Sequence, residues 1–205
     1  MTPMSLQMRA AQYNIAYAHL PHQQLHVSVD EKRKVFLCGF WFVGGGNISD
    51  FYGSYQVEYL KRMETLFPDC RGKKEMVHLF AGSIPVSSDY TVVGLPDQNY
   101  QPEFKCDAHE LSSHLPFSPA LILADPPYEE AANGEYAICD INRSRVVDEC
   151  ARILRPGGYL VWMDQALPTF SNDVINLVGG ISYIRSTGNR FRVVSIFQKP
   201  MKGKL

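Results

Sequence analysis

The sequence lacks the features of several large protein classes. It contains no apolar run long enough to span a membrane, and its first 20 residues lack the basic region and apolar core of a signal peptide. Its 5 cysteines are scattered and form no Cys-x-x-Cys pair, so neither a disulfide framework nor a zinc site is expected. We therefore expect a reduced, cytoplasmic protein without a membrane partner and without a metal.

The sequence also lacks an excess of positive charge. The net charge of the 205 residues is -1, so a nucleic-acid partner would have to be bound by a local basic patch. No Gly-Lys-Ser/Thr follows the glycines at 44–46, which excludes a P-loop. With 45% hydrophobic residues, the composition predicts an irregular N-terminal extension, residues 1–34, and a single globular domain, residues 35–205.

Short apolar segments alternate with helical and loop patterns. Alternation of this kind is typical of a doubly wound, mostly parallel α/β sheet, and a final hairpin-like pair predicts an antiparallel C-terminal hairpin. A parallel crossover normally needs a dozen or more residues, so the spacing after residue 83 predicts shortened or missing early crossover helices. Strands are expected at 35–43, 76–80, 90–95, 104–106, 121–124, 159–163, 181–185 and 192–197, and helices at 52–67, 143–154 and 171–178.

The central feature of the sequence is the stretch Leu-Ile-Leu-Ala-Asp-Pro-Pro-Tyr at 121–128. Its first half reads as a buried strand, and the two prolines end that strand because neither can donate to a β ladder. A carboxylate, Asp125, and a phenol ring, Tyr128, are thereby presented at the carboxyl end of a buried strand. In open α/β sheets, ligands bind at that position.

Three other predicted strands are followed by a small or acidic residue. Gly82, Asp97 and Asp107 come after the strands at 76–80, 90–95 and 104–106. Because parallel strands end at the same edge of a sheet, we expect these residues and Asp125 to line one crevice.

This collinear set of motifs resembles the class I S-adenosylmethionine-dependent methyltransferases over about residues 50–198. Asp-Pro-Pro-Tyr resembles the catalytic motif of the amino-methyltransferases, which methylate exocyclic nitrogens of nucleobases. Arg155-Pro156-Gly157-Gly158 is similar to the family's helix-to-strand turn. The resemblance implies S-adenosylmethionine as cofactor, with Phe80, Ala81, Gly82, Ser83, Asp97, Asp107 and Ala108 binding it and Asp125, Pro126, Pro127 and Tyr128 as the catalytic residues.

The resemblance also implies a nucleic-acid substrate, with DNA favoured over RNA and adenine N6 as the favoured acceptor. Arg190 and Arg192 flank Phe191 near the hairpin, and this basic, aromatic pattern predicts a contact with nucleic acid. Two alternatives remain open: an RNA guanine-N2 methyltransferase, and a catalytically inactive binding protein with the same fold. The last is favoured by the atypical glycine motif Ala-Gly-Ser and by the acid Asp97, which lies one residue later than expected.

Overall fold

The computed structural model describes residues 4–44, 46, 55–80, 84–85, 87–94, 101–127, 141–186 and 191–201. Within these residues the chain forms one sheet of nine strands with helices on both faces. The strands are β1 His26–Val29, β2 Val35–Val43, β3 Met76–Leu79, β4 Thr91–Gly94, β5 Phe104–Lys105, β6 Leu121–Ala124, β7 Tyr159–Asp164, β8 Asn176–Arg185 and β9 Phe191–Gln198. The α-helices are α1 Leu6–Ala16, α2 Val57–Leu66, α3 Leu111–His114 and α4 Arg143–Ile153.

The strand order is β1-β2-β8-β9-β7-β6-β3-β4-β5. Strands β2 to β8 pair in parallel wherever they adjoin one another, whereas β9 runs antiparallel to both β7 and β8, and β1 runs antiparallel to β2. This confirms the predicted α/β fold, a mostly parallel sheet with an antiparallel C-terminal hairpin.

The centre of the sheet is buried on both faces. Every residue of β3, β6 and β7 is buried, which explains why these strands read as continuous apolar runs rather than as alternating ones. One apolar cluster joins the sheet to α1 and α2, and a second joins the opposite face to α3 and α4. The carboxyl ends of these central strands are therefore supported by packed side chains on both faces of the sheet.

The strand order reverses between β3 and β6. From β3 the chain continues through β4 and β5 in one direction, and from β6 it continues to β7 in the other. The backbone N–H of Asp125 donates to the carbonyl of Leu79 at 3.4 Å, which extends the β3–β6 pairing to this edge. A crevice forms at such a reversal because the two crossovers leave toward opposite sides.

The connections between β3 and β4 and between β5 and β6 are short. The described residues between β3 and β4 contain no helix, and β5 is joined to β6 by a 3-10 turn, Ala108–Glu110, and the four residues of α3. The connection between β3 and β4 agrees with the predicted shortening of the first crossover helix, whereas most of the connection between β4 and β5 lies outside the described residues.

The helix predicted at 171–178 is wrong. Only a turn is present at 172–174, and Asn176 already belongs to β8, where it pairs with Gln198. The apolar residues of this segment fit a helix or a strand equally well by spacing. Pairing with β2 decides in favour of the strand. Gly179 lies so close to β2 that a Cβ on it would lie 2.9 Å from the Leu37 carbonyl oxygen.

The first 34 residues are more regular than the predicted irregular extension. Helix α1 packs on α2, and β1 forms one edge of the sheet. Arg9, which is 1% exposed, donates to the Leu66 carbonyl at 3.1 Å and to the Asp69 carboxylate at 2.6 Å. Arg62 donates to the Tyr13 hydroxyl at 2.6 Å. These long-range contacts, which local sequence does not encode, hold the segment in place; the division of the chain at residue 34 stays a prediction.

The turn Arg155-Pro156-Gly157-Gly158 connects α4 to β7 and requires both glycines. Gly157 has a positive φ of 78°, a conformation that costs little only for glycine. A Cβ on Gly158 would lie 2.9 Å from the Arg155 carbonyl oxygen.

None of the described helices is long and apolar enough to cross a membrane.

We predict that Asp69→Asn destabilises the protein by about 1.5–3 kcal/mol near neutral pH, because it leaves the buried Arg9 cation without its charged partner. Partial burial opposes ionisation, but the hydrogen bond from Arg9 holds the pKa of Asp69 below its usual range. The stabilisation is therefore fully present above the unfolded-state carboxyl pKa and is lost as pH falls through the lower native pKa. Urea unfolding at several pH values measures it.

The matched control is Asp89→Asn, which removes a surface ion pair with Arg71 at 3.7 Å. Such pairs contribute roughly 0–1 kcal/mol. Equal losses in the two variants would contradict the assignment of Asp69 as the buried partner of Arg9.

Candidate functional site

Asp125 lies at the first position after β6, at the reversal of strand order. Its side chain is only 8% exposed, and the following Pro126 is buried. The carboxylate lies on the α2 face of the sheet, where Arg192 of β9 brings its Nη1 to 3.7 Å from Asp125 Oδ2. A mostly buried acid with an arginine beside it is therefore held at the carboxyl end of a central strand.

Two tyrosines, Tyr59 of α2 and Tyr183 of β8, lie close enough to Asp125 for its negative charge to influence them. Tyr59 is fully buried, and burial, with the negative charge of Asp125 adding to it, raises the pKa of Tyr59 well above its usual value. Burial also raises the pKa of Tyr183 to about 12. Both phenols are therefore neutral and able to donate hydrogen bonds at physiological pH.

Two buried polar atoms in this shell have no partner among the described residues. They are the Tyr59 hydroxyl and Nε2 of Gln56, a residue that is 5% exposed. The Tyr183 hydroxyl donates to Gln56 Oε1, which turns the amide nitrogen of Gln56 away from Tyr183. Buried polar atoms usually have partners, so two unpartnered ones beside a buried carboxylate suit a polar ligand or bound water.

On the opposite face of the sheet, the Asp-Pro-Pro turn contacts α4. Arg143 Nη2 donates to the Pro127 carbonyl oxygen at 3.2 Å, and its Nε donates to Asp164 Oδ2 at 2.7 Å. Asp164 is the last residue of β7 and is 2% exposed. The turn is thus contacted by an arginine from each face.

Asp107 follows β5 at the same edge of the sheet. Its Oδ1 caps the turn Ala108–Glu110 by accepting from the His109 backbone N–H at 2.9 Å, and it lies 2.7 Å from His109 Nδ1. His109 Nε2 accepts from the Asn142 N–H at 3.0 Å, so Nδ1 carries the ring proton. Desolvation alone would raise the pKa of Asp107, but these hydrogen bonds hold it below its usual value.

The backbone bends sharply where β3 ends. Phe80 has a φ of 60°, a left-handed conformation that non-glycine residues seldom adopt. Strain of this kind concentrates where the chain must turn around a site. It falls at the start of the segment predicted to hold the cofactor.

Six of the predicted site residues are described at the strand ends, six lie outside the described residues, and Arg192 belongs to neither group. Phe80, Asp107, Ala108, Asp125, Pro126 and Pro127 lie together at the edge where β3, β5 and β6 end. Tyr128, Ala81, Gly82, Ser83, Asp97 and Arg190 lie outside the described residues. Arg192, predicted to contact nucleic acid, has a side chain only 15% exposed beside Asp125; its contact with nucleic acid stays a prediction.

Sequence reasoning missed several residues of this site. Asp164 follows the same pattern as Asp125, an acid at the end of a buried apolar run, and the rule that selected Asp125 would have selected it. Arg143 could not be paired with Asp164 from the sequence, because 21 positions separate the two residues. Gln56 and Tyr59 read as helix residues, and no local signal marks them as neighbours of Asp125.

No protein-family model matches the chain, and no curated protein matches its sequence. Among solved structures, the crystal structure of TrmN from Thermus thermophilus is similar over 69% of this chain and 47% of that chain, with a TM-score of 0.44 and 17% sequence identity. The chain spans about half the length of that protein. Similarity at this level carries no conclusion about function.

We predict that Tyr59→Phe leaves the protein as stable as the wild type or stabilises it by up to about 1 kcal/mol, because it removes a buried hydroxyl without a described partner. Tyr183→Phe should instead destabilise by about 1 kcal/mol, because Gln56 Oε1 loses its donor. Urea unfolding of both variants checks the difference. A larger loss for Tyr59→Phe would show that its hydroxyl is bonded in the folded protein.

Proposed function

We propose that this protein transfers a methyl group from S-adenosylmethionine to an exocyclic amino group of a nucleobase, with adenine N6 in DNA as the favoured acceptor. The observation that carries the proposal is the rigid turn that presents the buried Asp125 at the strand-order reversal. Ligands of doubly wound sheets bind in this crevice. The resemblance of Asp-Pro-Pro-Tyr to the amino-methyltransferase motif supplies the reaction class.

The described residues fit the adenosine end of the cofactor. The Asp107 side chain is 40% exposed, so its carboxylate can accept from an amino group of the ligand while capping its own turn. Asp107 follows β5 and Asp125 follows β6, and three inter-strand spacings, about 14 Å, separate the two strands. A nucleoside joined to an amino-acid side chain can bridge this distance. The left-handed Phe80 lies between them, at the end of β3.

The difficulty of the reaction lies in the acceptor. The lone pair of an exocyclic amine is delocalised into the ring, so the site must localise it on nitrogen. The Asp125 carboxylate accepts one amino hydrogen and the Pro126 carbonyl accepts the other, which turns the lone pair toward the methyl group. Fixed acceptors of this kind lower the barrier because they need no reorganisation during reaction.

When bound, S-adenosylmethionine supplies an electrophilic methyl group on a sulfonium. Transfer would form the nitrogen–methyl bond as the sulfur–methyl bond breaks, with a neutral thioether as the leaving group. The nitrogen would become cationic, the adjacent Asp125 carboxylate would stabilise that charge, and the nitrogen would then release one proton to solvent. In this proposal Tyr128 offers a face for the base, since stacking of a base on an aromatic ring is worth roughly 1–3 kcal/mol. A base in duplex DNA must be flipped out of its stack to reach the turn.

We predict that Asp125→Ala reduces methyl transfer by more than about 100-fold, because one of two preorganised acceptors is lost. S-adenosylmethionine affinity should change little, since Asp125 serves the acceptor base. Transfer of labelled methyl groups to adenine-containing oligonucleotides and calorimetric titration of the cofactor measure the two effects. The control Asp173→Ala removes an exposed acid from the 172–174 turn and should be neutral. Full activity in Asp125→Ala would refute the proposed acceptor.

We predict that Asp107→Ala weakens S-adenosylmethionine binding by about tenfold or more, the value of one charge-assisted hydrogen bond. Glu110→Ala is the matched control, because Glu110 lies in the same 3-10 turn and its side chain is 58% exposed. Calorimetry with the cofactor alone compares them. Equal affinities in the two variants would place the cofactor elsewhere.

A further inference from the structure

The Arg143–Asp164 pair is a partly buried ion pair whose place in the fold is unusual. Arg143 is the first residue of α4, directly after the N-cap Asn142. The partial positive charge of a helix N-terminus disfavours a cation there. Helix stability therefore does not explain an arginine at this position.

Asp164 holds the guanidinium in one orientation. Its Oδ2 accepts from Arg143 Nε at 2.7 Å and from Trp162 Nε1 at 3.3 Å, and its Oδ1 accepts from the Gln165 backbone N–H at 2.7 Å. The Asp164 side chain is 3% exposed and that of Arg143 is 20% exposed. Two donors besides Arg143, from Trp162 and Gln165, fix this buried carboxylate, so the guanidinium bound to it has little freedom to turn.

The other end of the guanidinium reaches the Asp-Pro-Pro turn. Arg143 Nη2 donates to the Pro127 carbonyl oxygen at 3.2 Å. One side chain thereby links the end of β7, the start of α4 and the turn after β6. Only arginine has separate donors in a planar fork that can serve Asp164 and Pro127 at once.

We propose that Arg143 is a positioning residue, held by Asp164, which fixes the Asp125–Pro127 turn for reaction. The inference rests on the proposed methyl transfer, in which Asp125 and the Pro126 carbonyl must meet the substrate amine together. Arg143 acts through the Pro127 carbonyl, which adjoins Pro126 in the turn. Loss of this contact loosens the acceptors, and displacements of about 1 Å can cost roughly 100-fold in rate.

The test variant is Arg143→Lys, which keeps a cation near Asp164 but cannot reach both acceptors with a planar fork. We expect kcat to fall by about 10- to 100-fold, while KM for nucleic acid, the affinity for S-adenosylmethionine and Tm stay close to wild type. Arg145→Lys, an exposed position in the same helix turn, is the matched control and should leave kcat unchanged.

A second measurement does not depend on activity. The backbone N–H of Asp125, the first residue of the turn, donates to the Leu79 carbonyl at the end of the neighbouring strand β3, so its hydrogen exchange reports how firmly the start of the turn is held. Arg143→Lys should exchange this amide several-fold faster than Arg145→Lys. If the wild type transfers no methyl group, the proposed function fails, and the exchange data alone decide whether Arg143 holds the turn.

Two results would overturn the proposal. The first is unchanged kcat together with unchanged exchange at Asp125 in Arg143→Lys. The second is a loss of kcat that only parallels a loss of Tm, because a purely structural ion pair would behave in that way. A fall in kcat with faster exchange and an unchanged Tm supports the positioning role.

Discussion

The site depends on one constraint, the stop that two prolines impose on a fully buried strand. Strand β6 cannot continue past Ala124, and it ends where the order of strands reverses. The carboxylate of Asp125 is consequently displayed at a fixed place. Contacts from both faces, Arg192 at the carboxylate and Arg143 at the Pro127 carbonyl, then act on a turn that is already stiff.

The surroundings of Asp125 are polar but mostly closed to solvent. Two neutral tyrosines and an arginine lie near the carboxylate, whose side chain is 8% exposed. Electrostatic interactions are stronger in such surroundings than in water. The same enclosure leaves the Tyr59 hydroxyl and the Gln56 amide nitrogen without described partners, a local cost in stability that a bound polar group would relieve.

The sequence predicts the fold well where one signal dominates. The bounds of β2 and β6 agree with prediction because each is an apolar run stopped by glycine or proline, and α4 differs by one residue at its end. Helix α1 and the start of β8 were not predicted, because buried Arg9 and strand pairing at Asn176 stabilise them over long range. Asp107 and Asp125 could be predicted as strand ends, whereas the link from Arg143 to Asp164 exists only in three dimensions.

The most direct test of the account is to incubate the protein with isotopically labelled S-adenosylmethionine and a mixture of DNA and RNA, digest the nucleic acids to nucleosides and identify the labelled species by mass spectrometry. The account predicts label on an exocyclic base nitrogen, with N6-methyldeoxyadenosine as the favoured product. Label on guanine N2 in RNA would keep the chemistry and change the substrate. No labelled nucleoside, together with no calorimetric binding of the cofactor, would contradict the account.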